Sequence, residues 1–134
     1  MMKSYRIELL QRVGDLRFGM AREDVRKSLG EYKEFKKGRS SINTTDDFKF
    51  CHAFYNAQNK LEAIEFFQGM DTKLALNSIG VFELEYEKLK NYVKDMDEDI
   101  KINPDGFISK KGISVYAPTG KTETVLLTSA DYWD

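Results

Sequence analysis

Apolar residues recur along the chain with two periods. Met20, Val25 and Leu29 fall at helical spacing among Arg22, Glu23, Asp24, Arg26 and Lys27, which predicts an amphipathic helix stopped at Gly30. Leu84, Leu89 and Val93 repeat that signal within residues 83–95. Residues 54–67 and 115–128 each hold two β-rich runs around a polar turn, at residues 56–59 and at Pro118-Thr119-Gly120, and so predict two β-hairpins. Short edge strands are expected around residues 32–35 and 100–102, the second ahead of the turn Asn103-Pro104-Asp105-Gly106. Residues 5–10 suit a strand or a helix, and the break at Val13-Gly14 favours a strand. Residues 30–47 are otherwise irregular.

The two hairpins align without a gap at a shift of 61, which puts Tyr55 on Tyr116, Lys60 on Lys121, Glu62 on Glu123 and Ile64 on Val125. The helices align at a shift of 64, with Phe18 on Phe82, Val25 on Leu89 and Leu29 on Val93. The second copy is therefore three residues shorter between helix and hairpin, where loops tolerate deletion. The expected fold is a single α+β domain over residues 1–134. Two degenerate halves, 13–69 and 79–134, each a helix plus antiparallel strands, would form one sheet with the helices packed on one face.

Strand alternation then sorts the side chains. Phe48, Phe50, His52 and Phe54 form one set with Ile113, Val115, Ile64, Phe66, Val125 and Leu127. This more apolar set is expected in the core, each large member contributing roughly 1.5–3 kcal/mol. Lys49, Cys51, Ala53, Tyr55, Ser114, Tyr116, Ala63, Glu65, Phe67, Thr124, Leu126 and Thr128 form the other set. Aromatic residues scattered among Ser, Thr and Glu suit a docking face, since tyrosine offers apolar area and one hydroxyl. The plainer alternative is that they cover the sheet or lie beneath the loop 38–46.

Composition narrows the function. The chain has 134 residues, 41% of them hydrophobic and 13% aromatic, enough for a globular core. It carries 21 basic and 22 acidic side chains, without the basic excess of a nucleic-acid binder. The run of Lys33, Lys36, Lys37 and Arg39 reads as a solvated turn. No apolar stretch approaches 18 residues, so no membrane span is expected. Arg6, Glu8, Gln11 and Arg12 interrupt the N-terminal stretch, which speaks against a signal peptide and for a cytoplasmic protein. The one cysteine, Cys51, cannot form an internal disulfide.

A catalytic set does not emerge. The glycines are isolated, so there is no phosphate loop. Cys51 and His52 are adjacent on a strand and face opposite ways, so they cannot pair as nucleophile and base. One His and one Cys make no zinc site without carboxylates. The acidic runs Asp95-Met96-Asp97-Glu98-Asp99 and Asp46-Asp47 lack the pattern of a calcium loop and read as a solvated helix end and loop. No cofactor, no metal and no enzymatic activity are expected.

The segment Leu16-Arg17-Phe18-Gly19-Met20-Ala21-Arg22-Glu23-Asp24-Val25-Arg26-Lys27-Ser28-Leu29-Gly30 resembles the opening of a half-unit in the β-lactamase-inhibitor-protein-like fold, shared by outer-membrane assembly lipoproteins of the SmpA type. Gly19-Met20, Val25 and Leu29-Gly30 match that pattern, while Ala21 stands where a capping hydroxyl is usual. The tail, with Ile113 to Tyr116, Val125 to Leu127 and Asp131-Tyr132-Trp133-Asp134, is similar to small cytosolic proteins of bacterial toxin–immunity loci. The resemblance implies a tandem protein that uses a sheet face to bind and block another protein, here an immunity protein neutralising a toxin. The expected interface is Tyr55, Glu65, Phe67, Tyr116, Leu126, Asp131, Tyr132 and Trp133. The competing expectations are a small-molecule binding protein, with a ligand between sheet and loop 38–46, and a self-associating domain with no client.

Overall fold

A computed structural model describes residues 3–36 and 43–133. Lys37 and Arg39 of the basic run, residues 38–42 of the loop 38–46, and the terminal Asp134 lie outside the described residues. Strand β1 (Lys3–Glu8) leads into β2 (Arg12–Val13), β3 (Leu16–Arg17) and helix α1 (Arg22–Leu29). Strands β4 (Lys33–Phe35), β5 (Thr45–Asp47), β6 (Cys51–Tyr55) and β7 (Leu61–Phe67) follow. Then come β8 (Thr72–Leu76), β9 (Ile79–Gly80) and helix α2 (Tyr86–Met96). The chain closes with β10 (Lys101–Asn103), β11 (Gly106–Ser109), β12 (Ile113–Tyr116) and β13 (Thr124–Thr128).

The fold is mixed α+β and dominated by its sheets. Among the described residues there are two of them, where one is expected from the sequence. The larger runs β10-β11-β12-β13-β7-β6-β5-β4 and is antiparallel throughout. The smaller runs β3-β2-β1-β8-β9, and within it β1 and β8 pair in parallel, Tyr5 opposite Leu74 and Ile7 opposite Leu76. Local alternation marks a strand but not its partner. A parallel pairing between segments so far apart in the chain leaves no turn signal to read. β5 also lies in a stretch expected to be irregular, between Lys33–Phe35 at the sheet edge and β6.

Both helices form where the apolar spacing puts them. α1 buries Val25 and Leu29, carries Glu23 and Asp24 in its first turn, and ends at Gly30, whose φ of 92° suits a residue without Cβ. Ala21 supplies no side-chain cap, as its methyl requires. α2 buries Leu89 and Val93 and starts at Tyr86, three residues later than 83. The turn preceding it is closed by the Leu84 N–H donating to the Gly80 carbonyl.

Cross-strand register defines the two faces of the large sheet. One row reads Ser109, Ile113, Leu127, Ile64, Ala53, Asp46, and the next reads Phe107, Val115, Val125, Phe66, Cys51. All eleven are buried. Tyr86 of α2 stacks on Phe107 at 6.2 Å, and Arg22 and Arg26 of α1 bond Asp46, so both helices meet this inner face.

The expected faces of β12, β13 and β7 agree with this register, whereas that of β6 is reversed. Cys51 and Ala53 point inward against Phe66 and Ile64, and His52 and Phe54 point outward. Size misled the assignment: bulky Phe66 and Ile64 already fill that space, and only small β6 residues fit beside them. A β-bulge between Phe54 and Tyr55 adds one residue to this hairpin, so the gapless alignment carries β6 onto β12 one residue out of phase.

Candidate functional site

The outer face of the large sheet carries the row Lys101, Ile108, Ser114, Leu126, Glu65, His52, Asp47, Lys33. Beside it lie Tyr116, Thr124 and Phe67. Four of the eight expected interface residues, Glu65, Phe67, Tyr116 and Leu126, thus share one face. The C-terminal segment brings Trp133 to it. Glu65, Tyr116, Leu126 and Trp133 line one groove of about 500 Å³, together with Asp105 and Ser114. Tyr116 is 48% and Trp133 38% exposed. Tyr132 packs edge-on to Trp133 at 4.9 Å. Burial pushes its phenol up, and the nearby Glu62 and Glu65 add to that shift. Asp131 is exposed and accepts the Ser129 hydroxyl at 2.9 Å.

Tyr55 is not on this face. It is 6% exposed, and its hydroxyl donates to Asp46 at 2.8 Å on the inner side. The bulge explains the separation from Tyr116: the pair aligned in sequence points to opposite sides of the sheet.

His52, expected in the core, is the centre of an aromatic cluster on the outer face. Its ring meets those of Phe67 at 4.8 Å and Phe35 at 5.1 Å, both edge-on. Its Nε2 lies 3.4 Å from Asp47 and its Nδ1 3.9 Å from Glu65. Cys51 lies behind it on the inner face, where burial and then Asp47 push the thiol up, so it stays protonated and unreactive. The two residues therefore do face apart.

Asp46, expected to be solvated, is instead the buried hub of the inner face, with a side chain 0% exposed. It accepts from Arg26 Nε at 2.8 Å and Nη2 at 2.9 Å, from Arg22 Nη2 at 3.0 Å, and from Tyr55. The Arg22 guanidinium lies 4.3 Å over the Tyr55 ring, and that of Arg26 lies 4.0 Å over Tyr32. Burial alone would push the carboxyl up. The bonds from Arg26, Arg22 and Tyr55 outweigh it and hold the group below the usual aspartate range. An ionised carboxylate so fully engaged fastens α1 to β5 and is poorly placed to take up a proton in catalysis. The signal for it was present in the sequence: Arg22 and Arg26 are one turn apart, flanking the buried Val25, and so need an anion nearby.

Asp97, likewise expected to be solvated, is buried at the C-cap of α2. The Ser109 hydroxyl donates to it at 2.7 Å. Ser109 and Asp46 end the same inner row, and each ties its end of the sheet to a helix.

A larger cleft, about 940 Å³, lies between the β12–β13 turn and the approach to α2. Its charged lining consists of Glu83, Glu85, Glu87, Glu123 and Lys121, all exposed. Volume alone does not make it the better site: it gathers one residue of the expected interface, Phe67. Among the described residues no three His, Cys, Asp or Glu side chains are grouped to hold a metal. No helix among them is long and apolar enough to cross a membrane. No protein family, curated protein or solved structure matches the chain.

Proposed function

We propose that this protein is a non-catalytic, protein-binding inhibitor that docks through the outer face of its eight-stranded sheet, and in the sharpest form a cytoplasmic immunity protein that neutralises a bacterial toxin. The observation that carries the reading is the gathering of Glu65, Tyr116, Leu126 and Trp133 around one open groove on that face. Open aromatic residues beside half-buried aliphatic ones are the anchors that dominate protein interfaces.

The tandem architecture belongs to the same proposal. Two degenerate copies, 13–69 and 79–134, on the plan of the β-lactamase-inhibitor-like fold, account for the strand order. On either side of the β7–β13 pair the strands step outward in reverse chain order, 7-6-5-4 and 13-12-11-10, and each set follows a helix. The Asp46 and Ser109 contacts to the helices stand at matching ends of one row.

The test is co-purification with the product of the adjacent gene, followed by alanine substitution of Phe67, Leu126, Tyr116 and Trp133. An anchoring aromatic should cost about 2 kcal/mol or more of binding. Near-neutral values at all four positions, or the lack of a toxin-like partner, would sink the reading. A small-molecule function is favoured only by the groove's volume. Thr44, in the described end of the loop 38–46, is fastened to Arg22 of α1, away from the groove.

A further inference from the structure

The charges lining the outer-face groove are of one sign. Among the described lining residues Glu65 on β7 and Asp105 in the β10–β11 turn contribute carboxylates and none is basic; Lys101, across from Ile108, and His52, whose Nδ1 lies 3.9 Å from Glu65, neighbour the groove without lining it. Tyr116 and Trp133 present exposed rings at the same groove, and Leu126 and Ile108 form half-buried apolar walls. Ser114, also in the lining, is 8% exposed, and its hydroxyl has no hydrogen-bond partner among the described residues.

These features select the chemistry of an occupant. An apolar anchor seated there would strip water from Glu65 without replacing it, a cost no packing contact offsets. An anion would meet two carboxylates. A side chain with a long apolar stem and a cationic head suits them together: stem along Leu126 and Ile108, head toward the carboxylates, ring faces of Tyr116 and Trp133 beside the charge, and polar backbone or head N–H groups to donate to the unpartnered Ser114 hydroxyl. We propose that this groove receives the lysine or arginine side chain of a partner protein as the anchor of the docked complex. The inference rests on the docking function proposed above and specifies what the partner must present.

Trp133 is the only tryptophan in the chain, so its fluorescence reports directly on the groove. The probes are the blocked tripeptides Ac-Gly-Arg-Gly-NH2 and Ac-Gly-Lys-Gly-NH2, with Ac-Gly-citrulline-Gly-NH2 as the uncharged isostere, titrated at low ionic strength into the full chain. The expected result is a saturable change for the two cations, weakened by added salt and by about fivefold in Glu65→Gln, with no response to citrulline. Asp105→Asn should act in the same direction. Melting curves of both variants establish that they fold. Equal binding of citrulline, unchanged binding in both variants, or no saturation with either cation overturns the proposal. So does a sedimenting dimer with Trp133 buried, because a second copy of the chain would then fill the groove. The two proposals fail separately. A toxin partner that binds the wild type and Glu65→Gln/Asp105→Asn equally removes the cationic anchor and leaves the docking function. Cation binding without any protein partner does the reverse.

Discussion

Asp46 shows how one side chain can hold a helix to a sheet. Its carboxylate is buried, and the guanidinium groups of Arg22 and Arg26 meet it from α1. Removing one partner of such a cluster leaves like charges half-buried and unneutralised, so Asp46→Asn should cost roughly 3 kcal/mol at neutral pH, read by chemical denaturation. The pH dependence follows from the lowered pKa of the folded state. The stabilisation is fully present above the ordinary aspartate range, near about 4, and is lost as pH falls through that range toward the folded value. Asp46→Asn should flatten this acid limb. The two tyrosines aligned by the repeat should separate cleanly. Tyr55→Phe removes a donor to a charged acceptor and should cost about 1.5–3 kcal/mol of stability while leaving partner binding intact. Tyr116→Ala should change stability by no more than about 0.5 kcal/mol and weaken binding. A Tyr55→Phe variant with full stability and impaired binding would contradict the assignment of faces.

At the scale of elements, the β10–β11–β12 end of the large sheet depends on one turn. Gly106 has φ +151°, and a Cβ built there would sit 1.9 Å from the Val115 carbonyl oxygen. The strand cannot shift without breaking the pairing of Gly106 with Tyr116, which positions the groove. Gly106→Ala should therefore destabilise by at least about 2 kcal/mol and remove the peptide-induced Trp133 signal, whereas Gly120→Ala, with open space around it, should keep that signal. The helices, both hairpins and the edge strands were legible along the chain because each rests on local periodicity and turn chemistry. β8 was not: beside its short pairing with β9, Thr72–Leu76 runs in parallel along β1, and that longer pairing joins segments far apart in the chain. The face of β6 was not, because one bulged residue inverts every side chain before it.

Across the whole molecule, the β7–β13 pair joins the two sets of strands. It sets Ile64 against Leu127 and Phe66 against Val125, all buried. A chain of residues 78–134 alone would expose the β13 edge and the apolar row behind it. It should aggregate or remain unfolded by circular dichroism and size-exclusion chromatography, and recover structure when mixed with residues 1–77. Independent folding of the fragment as a stable monomer would show that the seam is dispensable. The candidate site has the same global character. Its residues come from β7, β12, β13, the β10–β11 turn and the C-terminal segment, and only the assembled sheet brings them together.

By itself the sequence determined the positions of both helices, the two hairpins, the alternation along β7, β12 and β13, and four outward residues: Glu65, Phe67, Tyr116 and Leu126. Those follow from interactions between residues near in the chain, whose periods of 3.6 and 2 are written into the order of side chains. Tertiary structure alone decided that Tyr55 turns inward, that Asp46 and Asp97 are buried, that a second sheet forms around β1 and β8, and that Trp133 closes a groove carrying charge of one sign. Burial of a carboxylate depends on which hydrogen-bond donors reach it from elsewhere in the fold, guanidinium groups at Asp46 and the Ser109 hydroxyl at Asp97, and strand partnership depends on pairing over long chain separations. Neither leaves a periodic mark in the segment concerned.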